Sequence, residues 1–485
     1  MLRPELDTVI ALSGEYKVVP VCKEFYADEV TPINLLRRIA GLSRRFFLLE
    51  SIEGGERWGR YSFLGFDPVM RVYCKDRQLT IERNGIKESF PCSDPLSEIR
   101  KMLSGYSAPS LPDLPPLCGG MVGYFGYSML GYAEPKLKIS GASSNDTDLM
   151  LFDKIIAYDH LRQKVIITVN LHSEDIENEY NAAEKTIDEL SRLLRYDYPL
   201  IKPEKTEASP FSCNFTKEEY CEVVERTKEY IRSGDIFQAV VSRRFEADIN
   251  GTLINAYRVL RTTNPSPYMV YLRIDDREII STSPETLVRL RQGRLYTFPV
   301  AGSRPRGKTE REDDLLEKDL LSDEKELSEH NMLVDLGRND LGRISRFGSV
   351  EVTKYKMIHK YSRIMHICSQ VEGDIREDCD ALSAIEAVLP AGTLSGAPKI
   401  RACEIIEELE KCPRGIYGGA LGYIDFSGSL DTCIAIRMAV REGNKVSVQA
   451  GGGIVADSIP ENEYEESYNK ALAVMNAVQN GCNIG

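Results

Sequence analysis

The chain has 485 residues, 42% of them hydrophobic and 28% charged, with a formal net charge of -13. These values describe a soluble globular protein with enough core for two or three domains. They argue against a nucleic-acid partner, and the lack of any apolar run of spanning length argues against a membrane.

The opening stretch, MLRPELDTVIALSGEY, carries charges inside its apolar part and has no signal-peptide core. A cytoplasmic protein is expected. The 12 cysteines agree with this: none forms a CxxC pair, and Cys368 and Cys433 sit in apolar runs. Buried free thiols are expected rather than disulfides or a zinc site. The net charge repels small anions at long range, so an anion site has to be built locally from arginine, lysine, backbone amides or a metal.

In chain order, Phe46 to Ser51 reads as a buried strand ending in the polar pair Glu50-Ser51. Gly54 and Gly55 supply a turn, and Arg60 to Gly65 a second strand. Residues 69–90 alternate like paired strands around Asn84-Gly85. Residues 104–120 are a Pro-, Ser- and Gly-rich loop, 149–170 read as two antiparallel strands, and 173–194 as a charged helix. Residues 196–212 hold three prolines and no periodicity, which marks a linker. Beyond it, 216–233 reads as a helix with Thr216 as N-cap. AVVSRRFEA, SPYMVYLRI and EIISTSPETLVRL read as strands, with a helix over 251–262. This is a mixed sheet with intervening helices, not a βαβ repeat, and no Rossmann or P-loop fingerprint is present.

Several stretches carry candidate chemistry. RLYTFPVAGSRPRGKTER runs from a short strand through Ala301-Gly302-Ser303 into a cationic loop with Arg304, Arg306 and Lys308, suited to a carboxylate. DEKELSEHNMLVDLGRNDLGR, residues 323–343, reads as a helix that Gly337 breaks. On it Glu326 and Glu329 share one face, with His330 beside them, and Leu327 and Val334 share another. His366 lies between Met365 and Ile367 in a strand, where a hydrogen-bonded core histidine is the ordinary reading. PAGTLSGAPK leads into a helix over 398–411, and Thr393, Ser395 and free amides there suit an anion. IYGGALGYIDF and LDTCIAIRMAV read as strands flanking a turn at Ser427-Gly428. KVSVQA runs into Gly451-Gly452-Gly453, which permits ligand contact with backbone. Ser458 and Glu461 suggest a capping box opening the last helix. There Glu463, Glu466 and Lys470 share a stripe, and Tyr464, Tyr468, Ala471, Met475 and Val478 form another. Two helices thus offer paired carboxylates, hard oxygen ligands of the kind Mg2+ takes.

Taken together, LLES, NPSPYM, STSPE, PVAGSRPRG, the 323–343 helix, PAGTLSGAPK, IYGGALGY, CIAIR and AGGGIV–EYEESYNKA resemble the component I family of anthranilate synthases, within the chorismate-utilising enzymes. The resemblance implies an α+β fold: large antiparallel sheets packed as a sandwich, helices outside, two intertwined subdomains. It divides the chain into an N-terminal domain with an effector-binding strand (1–195), a linker (196–212) and a chorismate-binding catalytic domain (213–485). It implies that Glu329 and Glu466 ligate Mg2+ against the ring carboxylate of chorismate. Tyr417, Arg437, Lys470 and the amides of Gly451, Gly452 and Gly453 would fix carboxylates, with Thr393, Gly302 and Ser303 lining the pocket. Glu326 would protonate the departing C4 hydroxyl, since hydroxide leaves poorly without an acid, and His366 would serve the loss of pyruvate.

Within that family, relatives that activate water carry lysine where this chain has Gln238, and those making aminodeoxychorismate carry lysine where it has Ala301. Both differences favour direct attack of ammonia at C2 and anthranilate as product, the first committed step of tryptophan biosynthesis. Ser303 and Gly337 depart from the usual threonine and alanine. The chain has no amidotransferase block, so a glutamine amidotransferase partner is implied. Tryptophan is expected as feedback effector at Glu50, Ser51, Pro267, Tyr268 and Met269, with Tyr423, Asp431 and Cys433. Aminodeoxychorismate synthase component I and a catalytically silent amino-acid-binding homologue are the alternatives.

Overall fold

The computed structural model describes residues 2–51, 59–172, 175–201, 206–360 and 364–481. The turn expected at Gly54-Gly55 lies outside them. Two large sheets dominate, one of 13 strands and one of 12. Among the described strands every pairing is antiparallel, as in the central pair Met269–Glu50 and the long pair Gln238–Asn250 with Lys445–Ile454.

The sheets do not respect the linker. In the first, Arg45–Glu50 from the N-terminal part pairs with Tyr268–Ile274 from the C-terminal part. In the second, Gly120–Phe125 pairs with Ala420–Asp425. Alternation explains this: strands apolar on both faces need cover on both faces, and each finds it by facing the other sheet. The shared layer between the sheets holds Phe47, Phe63, Tyr124, Phe152, Val270, Leu421, Tyr423 and Cys433. Helices cover the outer faces. Ile254–Thr263 and Pro460–Gly481 pack together on the first sheet through Ala256, Tyr257, Leu260, Ala471, Val474 and Val478. Glu324–Gly342 and Ala381–Val388 lie on the second through Val334, Leu341 and Ile385.

Several expectations change at this level. The 149–170 run is three strands, Thr147–Phe152, Lys154–Asp159 and Lys164–His172, and the first belongs to the other sheet. The 69–90 region also holds three strands. A second turn at Asp76-Arg77 has positive φ at both residues, like Asn84-Gly85. Gly337 does not break its helix, which runs on to Gly342. The flat side of Gly337 packs on Thr297, whose Cγ2 lies 3.1 Å from where a Cβ would stand. The last helix starts at Pro460, and Ser458 Oγ accepts from the Val455 amide instead of closing a capping box with Glu461. Thr216 does cap its helix, with the Glu219 side chain completing the box.

The most consequential change is a splitting of two apparent strands. EIISTSPETLVRL divides into Arg277–Ser283 in the first sheet and Thr286–Arg291 in the second. LDTCIAIRMAV divides into Leu430–Ile434 in the second and Met438–Glu442 in the first. The chain crosses between sheets twice at the same place, for Ser281 pairs with Met438 and Thr286 with Cys433. Backbone bonds tie the crossings together: Thr282 N–H to Arg437 O at 3.0 Å, and Ile434 N–H to Glu285 O at 3.0 Å. Glu285 and Arg437 sit on these two crossings.

Candidate active site

Glu285 is half-buried, and its carboxylate accepts from Thr393 Oγ1 at 3.0 Å. Enclosure pushes its pKa up, against the opposing pull of Thr393, Lys470 and Arg437. Arg437 follows the other crossing with φ +48°, a conformation rare for a side-chain-bearing residue. Its guanidinium donates to the Lys470 carbonyl at 3.2 Å, and burial lowers its pKa. Tyr417 is buried close by, with its phenol pushed up by burial and influenced by Arg437 and Glu285. A guanidinium, a phenol and a carboxyl therefore converge where the two sheets exchange strands.

Two helices close the cleft. Asp323 caps the Glu324–Gly342 helix and accepts from the Lys325 and Glu326 amides, which sets Glu326 and Glu329 in and just beyond the first turn. Glu466 and Lys470 stand one turn apart on the Pro460–Gly481 helix, joined at 2.6 Å. Lys470 also donates to the Gly451 carbonyl at 3.2 Å. An open depression of about 460 Å³ lies here, lined by Arg437, Asn462, Glu465, Glu466, Asn469 and Lys470. Glu329 is raised first by enclosure and then by Glu326 and Glu466. Glu463 is raised by enclosure and by Glu466. Carboxylates on both helices repel one another across this mouth, with Lys325 and Lys470 as the cations that relieve them.

That excess of negative oxygen fits a hard divalent cation. Among the described residues no three His, Cys, Asp or Glu side chains gather at ligating distance. The fit is to an ion that takes one or two carboxylates and fills its shell with water and ligand oxygens. Glu329 and Glu466, close enough for Glu466 to raise the Glu329 pKa, are the candidates to hold one.

Gly302 lies at a bulge in the Val300–Pro305 strand, with φ +68°. A Cβ there would stand 3.1 Å from Glu326 Oε2, so glycine lets the strand approach the carboxylate. The Gly302 carbonyl accepts from His366 Nδ1 at 3.0 Å, which leaves Nε2 as the basic nitrogen of a neutral ring. Burial first, and Arg437 nearby, keep the His366 pKa below the usual value. Ser303 pairs with His366 across the strands, and Ala301 is buried opposite Ile367. Gln238 is buried, and its Nε2 stands 2.5 Å from where a Cβ on Gly453 would be, at the end of the Gly451–Gly453 run. Two cations of the basic loop are already paired: Arg304 is held by Asp319 and Asp323, and Arg306 by Asp313.

The expected effector residues divide between the two faces of the first sheet: Glu50 and Met269 face the helix Ile254–Thr263, and Tyr268, Tyr423 and Cys433 face the layer between the sheets. Met269 pairs with Glu50. Tyr268 donates to Asp431 at 2.7 Å, Asp431 pairs with Arg289 at 2.7 Å, and Tyr423 lies against Phe63 with ring centroids 6.2 Å apart. Pro267 precedes the Tyr268 strand, Ser51 follows the Glu50 strand, and Cys433 is buried with its thiol pushed up to about 12. Glu50 is not waiting for a partner. It accepts from Ser62 Oγ at 3.0 Å, Tyr257 at 2.8 Å and Arg261 Nε at 2.9 Å.

Glu285 is the site residue that sequence reasoning passed over. Its signal was present in STSPE, where a carboxylate follows a proline that ends one strand. Its partners, however, come from positions 393 and 437.

A model of the chorismate binding enzyme family matches residues 45–476. Among curated proteins the chain is 46% identical to anthranilate synthase component 1 of Acetivibrio thermocellus over 490 residues, covering 99% of each chain. It is 44% identical to the protein of the same name from Aquifex aeolicus, covering 99% of this chain and 98% of that one. Among solved structures it resembles anthranilate synthase component I from Streptococcus pneumoniae TIGR4, with a TM-score of 0.78, 35% identity, and coverage of 93% of this chain and 98% of that one. The menaquinone-specific isochorismate synthase of Escherichia coli shares the fold, with a TM-score of 0.72 at 18% identity over 98% of each chain.

Proposed function

The chain belongs to the chorismate-binding enzymes, alongside the proteins called anthranilate synthase component 1; from that premise we propose that it converts chorismate and ammonia into anthranilate and pyruvate. Ammonia adds at C2, the C4 hydroxyl departs as water, and 2-amino-2-deoxyisochorismate then loses pyruvate. The observation that carries this is the meeting of Arg437, Tyr417 and a raised Glu285 beneath a mouth of crowded carboxylates.

Each group has a task that follows from its surroundings. Arg437 and Lys470, with Tyr417 and the Gly451–Gly453 backbone, receive the substrate's carboxylates. Glu329 and Glu466 would hold Mg2+, which when bound supplies positive charge against the ring carboxylate. The proton for the C4 hydroxyl is assigned to Glu285 rather than Glu326. Glu285 is the carboxyl whose pKa enclosure raises, which favours its proton-donating form, and Thr393 orients it. Glu326 stands 3.6 Å from Arg304 and crowds Glu329, so it belongs with the carboxylates at the mouth. His366, neutral and fixed by Gly302, takes the proton whose removal releases pyruvate. Gln238 cannot activate water as a base, and Ala301 offers no amine for a covalent route, which leaves ammonia as nucleophile. The same proposal takes ammonia from a glutamine amidotransferase subunit, places the enzyme in the cytoplasm and in tryptophan biosynthesis, and takes tryptophan as an effector at Glu50 and its neighbours.

The test is direct. Chorismate, Mg2+ and an ammonium salt with the purified chain should give the fluorescence of anthranilate. Isochorismate or aminodeoxychorismate as the main product by chromatography would overturn the assignment.

A further inference from the structure

Arg243 is fully buried on the strand Gln238–Asn250, directly opposite Ala450 and so next to the Gly451–Gly453 run. Its Nε donates to Ser467 Oγ at 3.0 Å and its Nη2 to the Tyr464 carbonyl at 2.5 Å, while Nη1 has no hydrogen-bond partner. None of these partners is a carboxylate. The cation instead lies against three rings: Tyr464 at 3.8 Å, Phe245 at 5.1 Å and Tyr220 at 5.2 Å. A buried guanidinium held this way is costly, and an apolar side chain of similar size would fill the space more cheaply.

What the guanidinium supplies is a rigid fork. Its two donors grip Tyr464 and Ser467, one helical turn apart. Each is the immediate successor of a carboxylate, Glu463 and Glu466. One side chain from the sheet therefore fixes both the rotation and the height of the turn that carries them. A roll of about 10° would move a carboxylate on the helix surface by about 1 Å, and Mg2+ sites tolerate only about 0.2 Å. The next turn is tied to the same sheet by Lys470 to the Gly451 carbonyl. The facing helix has a comparable buried tie, His330 Nε2 to Ser369 Oγ at 2.7 Å, beside Glu329.

We propose that Arg243 is a positioning residue that fixes the helix turn carrying Glu466, with Glu463 beside it, so that Glu466 stands opposite Glu329 where a divalent cation would be held. This rests on the Mg2+ site of the proposed function, so the test separates the two. Mn2+ binding to the resting full chain is measured by electron paramagnetic resonance, without chorismate, for wild type and for Glu466→Gln, Arg243→Lys and Ser467→Ala. Thermal melting reports folding. Wild type should bind Mn2+ and Glu466→Gln should not. Arg243→Lys keeps the charge but loses the fork, and should weaken Mn2+ binding about tenfold. The Mg2+ needed for half-maximal turnover should rise in parallel, with the deficit largely recovered at saturating Mg2+. Ser467→Ala removes one prong and should show the same change to a smaller degree.

A folded Arg243→Lys with wild-type Mn2+ affinity overturns the inference, and so does a lower kcat at saturating Mg2+ with affinity unchanged. If Arg243→Lys fails to fold, unaltered affinity in Ser467→Ala overturns it. Absence of any Glu466-dependent Mn2+ signal in wild type overturns the metal site itself, and the inference with it.

Discussion

The cleft and the seam where Arg45–Glu50 pairs with Tyr268–Ile274 are built from the same residue types with opposite charge economies. In the seam, Glu50 has three internal donors, and Asp431 is shared by Arg289 and Tyr268. In the cleft, Glu329 faces Glu326 and Glu466, and Arg437 donates to a backbone carbonyl, that of Lys470. Like charges left facing each other, with only Lys325 and Lys470 to relieve them, leave room for a further cation from outside, whereas satisfied ones must be displaced. A ligand in the cleft completes the structure. The amino acid proposed as effector would have to compete with Arg261 and Tyr257 for Glu50.

Glu285→Gln should break the cleft most severely, lowering kcat about 10³-fold, because general acid catalysis contributes on that scale. Anthranilate fluorescence under saturating substrate measures it. A loss under tenfold would move the acid elsewhere. Because the Glu285 pKa is raised, its donor form is lost as pH rises through that raised value.

Glu329→Gln should lower turnover at limiting Mg2+ about 10²-fold, through loss of several kcal/mol of charge stabilisation. The same change should raise the melting temperature at pH 7. The folded state holds the Glu329 proton more tightly than the unfolded chain does, so its contribution is present below the ordinary carboxyl range and lost as pH rises through the folded pKa. Glutamine escapes that loss. A variant both inactive and less stable would contradict the contrast between the two regions.

His366→Met should act on the second step, with aminodeoxyisochorismate accumulating at the expense of anthranilate. Chromatography separates the two, and equal loss of both would remove the assigned role. In wild type the elimination should slow as pH falls through the His366 pKa, which lies below the usual 6.5.

In the seam, Arg261→Met leaves the Glu50 carboxylate buried with only hydroxyl donors. Breaking such a pair costs about 3 kcal/mol, read as lower thermal stability. Finally, Ser51→Phe should abolish inhibition by tryptophan. Calorimetry and the chorismate dependence of rate check it, and if wild type neither binds tryptophan nor slows with it, the seam is structural alone.

Much of the fold was legible. Thr216 announced its cap and Asn84-Gly85 its turn, and the apolar runs before Glu50 and in SPYMVYLRI placed both strands, because these features depend on neighbours within a few residues. The pairing of Glu326 with Glu329, and of Glu466 with Lys470, followed from helical spacing alone. What failed was anything that required knowing what lies opposite. Gly337 looked like a helix end because glycine is a weak helix former, yet it serves packing against Thr297. Arg304 and Arg306 looked available because their acidic partners, Asp319, Asp323 and Asp313, stand on following helices.

By itself the sequence determined which residue types are present and which share a face over one or two turns: two carboxylate helices, a glycine-rich strand end, an uncharged Gln238 and Ala301. The tertiary structure alone decided that two apparently continuous strands each cross between sheets, at Pro284-Glu285 and at Ala435–Arg437. Periodicity reads exposure along a strand, but both halves of such a strand are buried, so its pattern holds no mark of the sheet change. Only the pairing of Ser281 with Met438 and of Thr286 with Cys433 brings the crossings together. The raised Glu285 and the desolvated Arg437 are consequences of that meeting.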